Sequence, residues 1–215
     1  SRLRCIVLLD PSGPASHVDV ELGKLAVPAV DNLLEFNFRE IPSAHRRAMT
    51  ELSDGIVKVA ANLALRYLVN RTDFLHSTAS WARDELRTLI PDDHDLALLR
   101  SHSLFARVGH SGERAAELAY LVQAFSLQAD AVSRCKRLAR SPGVVEFGPR
   151  YASVRPKLFA RALFEEAWIM SVGQNSNAFI EQLPPRLRLS LVEQAALHAP
   201  AYVSEELVRC AQPFG

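Results

Sequence analysis

The sequence predicts an all-α fold: a single-domain bundle of eight or nine helices with an N-terminal extended arm or short β-hairpin. Three observations carry that prediction. Leu and Ala, both strong helix formers, dominate the composition. Beyond residue 28 the apolar residues recur at three- and four-residue steps instead of alternating. Capping residues, prolines and glycines punctuate those stretches at helix-length intervals. A chain of 215 residues buries roughly 70 % of its unfolded surface and needs no covalent staple. With 48 % hydrophobic and 23 % charged residues, it is neither a disordered tail nor a fibrous chain.

Residues 1–28 differ from the rest. Cys5-Ile6-Val7-Leu8-Leu9 is a β-prone run closed by the turn formers Asp10-Pro11-Ser12-Gly13-Pro14. Val18, Val20 and Leu22 then alternate with Asp19 and Glu21. This reads as a hairpin packed on the helical body, or as an arm reaching a neighbouring subunit.

The helical domain occupies 29–215. Its first helix, Ala29 to Glu40, aligns Val30, Leu33, Leu34 and Phe38 and stops at Pro42. Ser43 caps a second, along which Met49, Leu52, Ile56, Val59, Leu63 and Tyr67 recur without interruption. Thr72 caps a third, carrying Phe74, Trp81, Leu86 and Leu89 up to Pro91. Asp92 or Asp93 starts a fourth with Leu96, Leu99 and Phe105, stopped at Gly109. Ser111 opens the longest, with Leu118, Leu121, Phe125, Ala129, Val132, Cys135 and Ala139 as its core stripe and Phe125 buried at its centre. After Ser141-Pro142-Gly143 comes an irregular stretch to Arg155, so strand is expected only in the first ~25 residues. Pro156 begins a helix through Met170. Asn175 or Ser176 caps a short helix to Leu183, Pro185 begins another to about His198, and Ser204 caps the last.

Composition narrows the functional classes. Cys5, Cys135 and Cys210 are odd in number and share no motif spacing, which argues against a disulfide framework or zinc site and for an intracellular, reducing compartment, cytoplasmic or nuclear. No apolar run reaches the ~20 residues of a membrane span. Neither a nucleophile elbow nor a phosphate-binding glycine loop occurs. No cofactor and no catalytic residue is expected, and a non-enzyme is the leading reading.

Asp92-Asp93-His94-Asp95, with His102 and His110 downstream, is the densest group of possible ligands. Its His94-Asp95 pair resembles that of the HD-type metal phosphohydrolases, which implies a helical metal-dependent hydrolase as one alternative. That family closes an apolar helix with the pair, whereas here Pro91 and two acids precede it. Carboxylates at a helix start cap free amides and complement its dipole, so capping, without a bound metal, is the expected role.

The charge distribution is the one local anomaly. Between Arg134 and Arg161 lie Arg134, Lys136, Arg137, Arg140, Arg150, Arg155, Lys157 and Arg161, opposed only by Glu146. That is a net +7 in a chain of net +1. On a helical wheel the first four share the face opposite Val132, Cys135 and Ala139. Phe147, Tyr151 and Phe159 are interleaved with the later ones. The bland interpretation has these cations answering Glu165, Glu166 or acidic helix starts inside the fold. The functional one has them contacting an anionic partner: protein or self-association first, or nucleic acid, with Tyr151 stacking a base as in a nucleoprotein-like RNA-binding module. The near-neutral pI of 7.8 counts against an indiscriminate nucleic-acid binder.

Overall fold

A computed structural model describes residues 25–71, 74–141, 143–172, 176–199, 203–205 and 207, with backbone alone at 74–77. Residues 1–24, most of the expected 1–28 arm or hairpin, fall outside this set, as do Thr72, Asn175 and two of the three cysteines, while Val27 and Pro28 already belong to the first helix. The protein is mostly helical. Among the described residues no helix is long and apolar enough to cross a membrane. The chain divides into two compact units, 1–74 and 75–215. The periodicity read from sequence runs through both without a compositional break at residue 74.

The first unit holds α1 (Val27–Asn37), α2 (Ser43–Ser53) and α3 (Val57–Val69), which pack on one another. Val30, Leu34, Ile41, Met49, Leu63 and Ala64 are buried. The expected single helix from Ser43 to Tyr67 is instead α2 and α3. Asp54 (φ 55°) and Gly55 (φ 83°) turn left-handed between them. A Cβ on Gly55 would meet the Leu25 carbonyl oxygen at 2.4 Å, so close approach of the incoming chain also requires glycine. Leu33, expected on the core side of α1, is exposed.

The second unit begins with α4 (Phe74–Leu89), which starts at the boundary and buries Ala82 and Leu86. Then come α5 (Asp93–Ser103), α6 (Ala115–Ala124), α7 (Ala131–Arg140), α8 (Lys157–Ala167), α9 (Ser176–Gln182) and α10 (Pro185–His198). A short 3-10 turn, Gly112–Arg114, precedes α6, and a π-helical turn, Trp168–Val172, extends α8. Val203–Glu205 are helical, so Ser204 sits within that turn and not ahead of it. α8 is largely enclosed: Leu158, Phe159, Ala162, Leu163, Phe164 and Ala167 are all buried, leaving Arg161 exposed and Lys157 half-exposed on its outer strip. α5 packs along it.

Two sequence expectations are corrected here. The long helix from Ser111 is broken. α6 ends at Phe125, Ser126 takes a left-handed φ of 51°, and α7 starts afresh at Ala131. Phe125 is therefore half-buried, edge-on to Phe179 at 6.0 Å. The buried stripe of α7 is Ala131, Cys135 and Leu138; Ala129 is exposed. The segment after Gly143 is not irregular. It forms β2 (Val145–Phe147) and β3 (Tyr151–Val154), an antiparallel hairpin, and β1 (Val108–Gly109) pairs with β3 to give the order β1-β3-β2. Strands of two to four residues are too short to announce themselves by alternation. β2 packs against α7 and β1 against α6.

Candidate anion-binding surface

The cations of 134–161 fall into two groups, and acids remote in sequence make the division. Asp92 caps α5: its Oδ1 accepts from the His94 amide at 2.8 Å and the Asp95 amide at 3.2 Å. The Asp95 amide, then those of His94 and the Arg134 guanidinium, hold its carboxyl below the usual range. The third residue of that capping turn, Asp95, is only 1 % exposed and points at α7. Arg134 Nη1 donates to Asp95 Oδ1 at 2.8 Å, and Arg137 Nη2 to Asp95 Oδ2 at 2.5 Å. Arg134 also pairs with Asp130 at 2.9 Å and Asp92 at 3.3 Å, and donates to Gln128. Its own pKa is raised, chiefly by the bond to Asp95.

The clamp also reaches into the connection before α7. The side chains of Gln128 and Asp130, in the connection, are both taken by Arg134 one turn later. Behind it lies a second link between α5 and α7. His102 Nδ1 lies 2.9 Å from the Leu98 carbonyl and must donate to it, which leaves Nε2 to accept the Cys135 thiol at 3.7 Å. Burial lowers the His102 pKa to about 4 and pushes the Cys135 thiol up to about 12, with Asp95 adding to the latter. Both groups are neutral at physiological pH, so the pair packs the interface and lacks the thiolate that nucleophilic chemistry requires.

The remaining cations sit on the outside. Lys136, Arg137 and Arg140 line the exposed side of α7, although Arg137 shares in the clamp. Arg150 is exposed at the hairpin turn. Arg155 pairs with Glu146 across the hairpin at 3.0 Å. No carboxylate pairs with Lys136, Arg140, Arg150, Lys157 or Arg161 among the described residues.

The hairpin is fastened from β1. The His110 amide donates to the Arg150 carbonyl, His110 Nε2 lies 3.0 Å from the Gly148 carbonyl, and Ser111 Oγ donates to the Pro149 carbonyl at 2.7 Å. The His110 ring stacks on Phe147 at 4.1 Å, and Lys136 Nζ lies 5.7 Å over the same ring. The Tyr151 ring carries two guanidiniums, Arg107 and Arg114, each 5.4 Å from its centroid. Arg107 and Arg114 belong to this surface and lie outside the charged run, so the run alone does not reveal them. Phe159, by contrast, is buried in α8 and belongs to the core.

At β1, Gly109 faces its neighbours so closely that a Cβ would meet Arg114 Cβ at 2.4 Å. Its amide, the one turned away from β3, donates to the buried Glu117 carboxylate at 2.8 Å.

Asp92 and Asp95 are thus spent on a cap and on guanidiniums, and His102 is turned to a carbonyl and a thiol. Among the described residues no three His, Cys, Asp or Glu side chains come together as a metal-holding group. Compared with protein-family models, curated proteins and solved structures, the chain matches none.

Proposed function

We propose that the protein is a non-enzymatic helical interaction domain whose surface over α7, the β2–β3 hairpin and the outer strip of α8 meets an anionic partner. One observation carries the reading. Arg134 and Arg155 are largely answered inside the fold, while Lys136, Arg140, Arg150, Lys157 and Arg161 have no described carboxylate beside them. Cations without an internal carboxylate keep their charge available, and their backbone positions are fixed by hydrogen-bonded elements, so only side-chain ordering is lost when a partner arrives. Two of the described groups that could serve nucleophilic or acid–base chemistry have other roles: the Cys135 thiol is protonated and buried, and Asp95 is paired with two arginines.

The test is binding to a generic polyanion, sulfated dextran, across a salt series. Affinity should fall linearly on a log–log plot as counterions are released, and an Arg140→Glu/Arg150→Glu variant should show a flatter slope by about two charges. A wild-type protein that ignores the polymer even at low salt overturns the reading.

A further inference from the structure

Resting on that reading, we infer that the anionic partner is an acidic segment of a protein, and not a single-stranded nucleic acid. The aromatic rings decide it. A sequence-tolerant nucleic-acid surface needs open π-faces on which bases stack. Here the two rings among the charges are already occupied. Tyr151 lies beneath Arg107 and Arg114, and Phe147 carries the His110 imidazole and the Lys136 ammonium. The rings act as posts that hold cations in place, and the surface presents N–H donors instead of stacking platforms.

The charge pattern points the same way. Exposed carboxylates are set among the cations: Glu146 on the hairpin, Glu113 in the turn before α6, and Glu193 on α10 beside Arg107 at 3.9 Å. A nucleic acid carries a negative charge at every phosphate and cannot avoid them. A protein segment places its Asp and Glu opposite the arginines and neutral residues opposite these acids, which is specificity by avoided repulsion. Guanidiniums fit carboxylates through paired N–H donors, and both arginines over Tyr151 already have a carboxylate within 4 Å, Glu193 for Arg107 and Glu117 for Arg114.

The experiment compares two labelled probes on the full chain at matched net charge. One is a peptide of Glu-Ser-Gly repeats and the other an oligouridylate. The peptide should bind about tenfold more tightly near physiological salt, and Tyr151→Leu, by freeing Arg107 and Arg114, should weaken it while leaving the sulfated-dextran affinity nearly unchanged. An oligouridylate that binds more tightly than the peptide, and loses affinity in Tyr151→Leu, overturns the inference and leaves the proposed polyanion surface intact. A protein that binds sulfated dextran but neither probe also overturns it. Failure to bind all three overturns the proposed function itself.

Discussion

The two sides of α7 carry two cations each and give them opposite fates. Arg134 and Arg137 turn towards α5 and close on Asp95, while Lys136 and Arg140, on the same ten-residue helix, keep their charge for the outside. Sequence places all four within seven positions. What separates them is a carboxylate roughly forty residues upstream (39 from Arg134, 42 from Arg137), delivered by the capping turn of another helix. A run of like charge therefore says little about a surface until its counter-charges have been located in space.

The largest test of that contrast is to remove the buried acid. Asp95→Ala leaves two guanidiniums facing a buried gap, and urea unfolding should register a loss of about 3 kcal/mol. The figure sits at the low end because Arg137 is more than half exposed and regains water. A loss below about 1 kcal/mol would reduce the clamp to an ordinary surface pair and erase the distinction between the two sides.

A second test uses pH on the same interface. The folded-state pKa of His102 is depressed from 6.5 to about 4 by burial. The unfolded chain then takes up a proton that the folded chain refuses. The stability held by the neutral ring is whole above pH 6.5 and is lost as pH falls towards 4, amounting to about 3 kcal/mol. Unfolding free energies measured at intervals across that window should show the decline, and His102→Gln should flatten it. A variant with an unchanged slope would assign the acid sensitivity to other groups.

The outer side is expected to respond differently. Gly109→Ala drives a methyl group into Arg114 and the Glu117 carboxylate, so the melt should lose about 2 kcal/mol, with the hairpin surface disturbed along with it. Arg140→Glu should cost stability less than about 0.5 kcal/mol, since nothing described pairs with it, while the polyanion affinity drops. Equal stability losses in Asp95→Ala and Arg140→Glu would collapse the comparison.

Much of the helical architecture is legible in sequence because it is local. Pro185 and His198 bound α10 as read, and Asp92 caps α5 as its position before an apolar helix implies. What is not legible depends on distant partners or on very short elements. The break at Ser126 carries no proline or glycine to mark it, and the Arg134 bonds to Gln128 and Asp130 beside it are visible only in space. The pause at Asp54-Gly55 was marked by its glycine, yet the apolar spacing of Met49 through Leu63 continues across it and masks the stop. β1 is two residues long, and only its pairing with β3 makes it a strand. For the candidate surface, the charged run points to the right neighbourhood. It also includes Arg134, which belongs to the interior, and misses Arg107 and Arg114, which reach Tyr151 from other elements.

The bond from the Gly109 amide to Glu117 carries a consequence for how the protein behaves in company. An unpaired strand edge is a template on which another chain's strand can add, and very short edge strands are one of the ways proteins blunt that hazard. Here the outward amide of β1 is already satisfied by a buried carboxylate, and β2 on the other side lies against α7. Among the described residues the outward amide of β1 is therefore not free to template another strand, which disfavours backbone pairing between molecules along that edge.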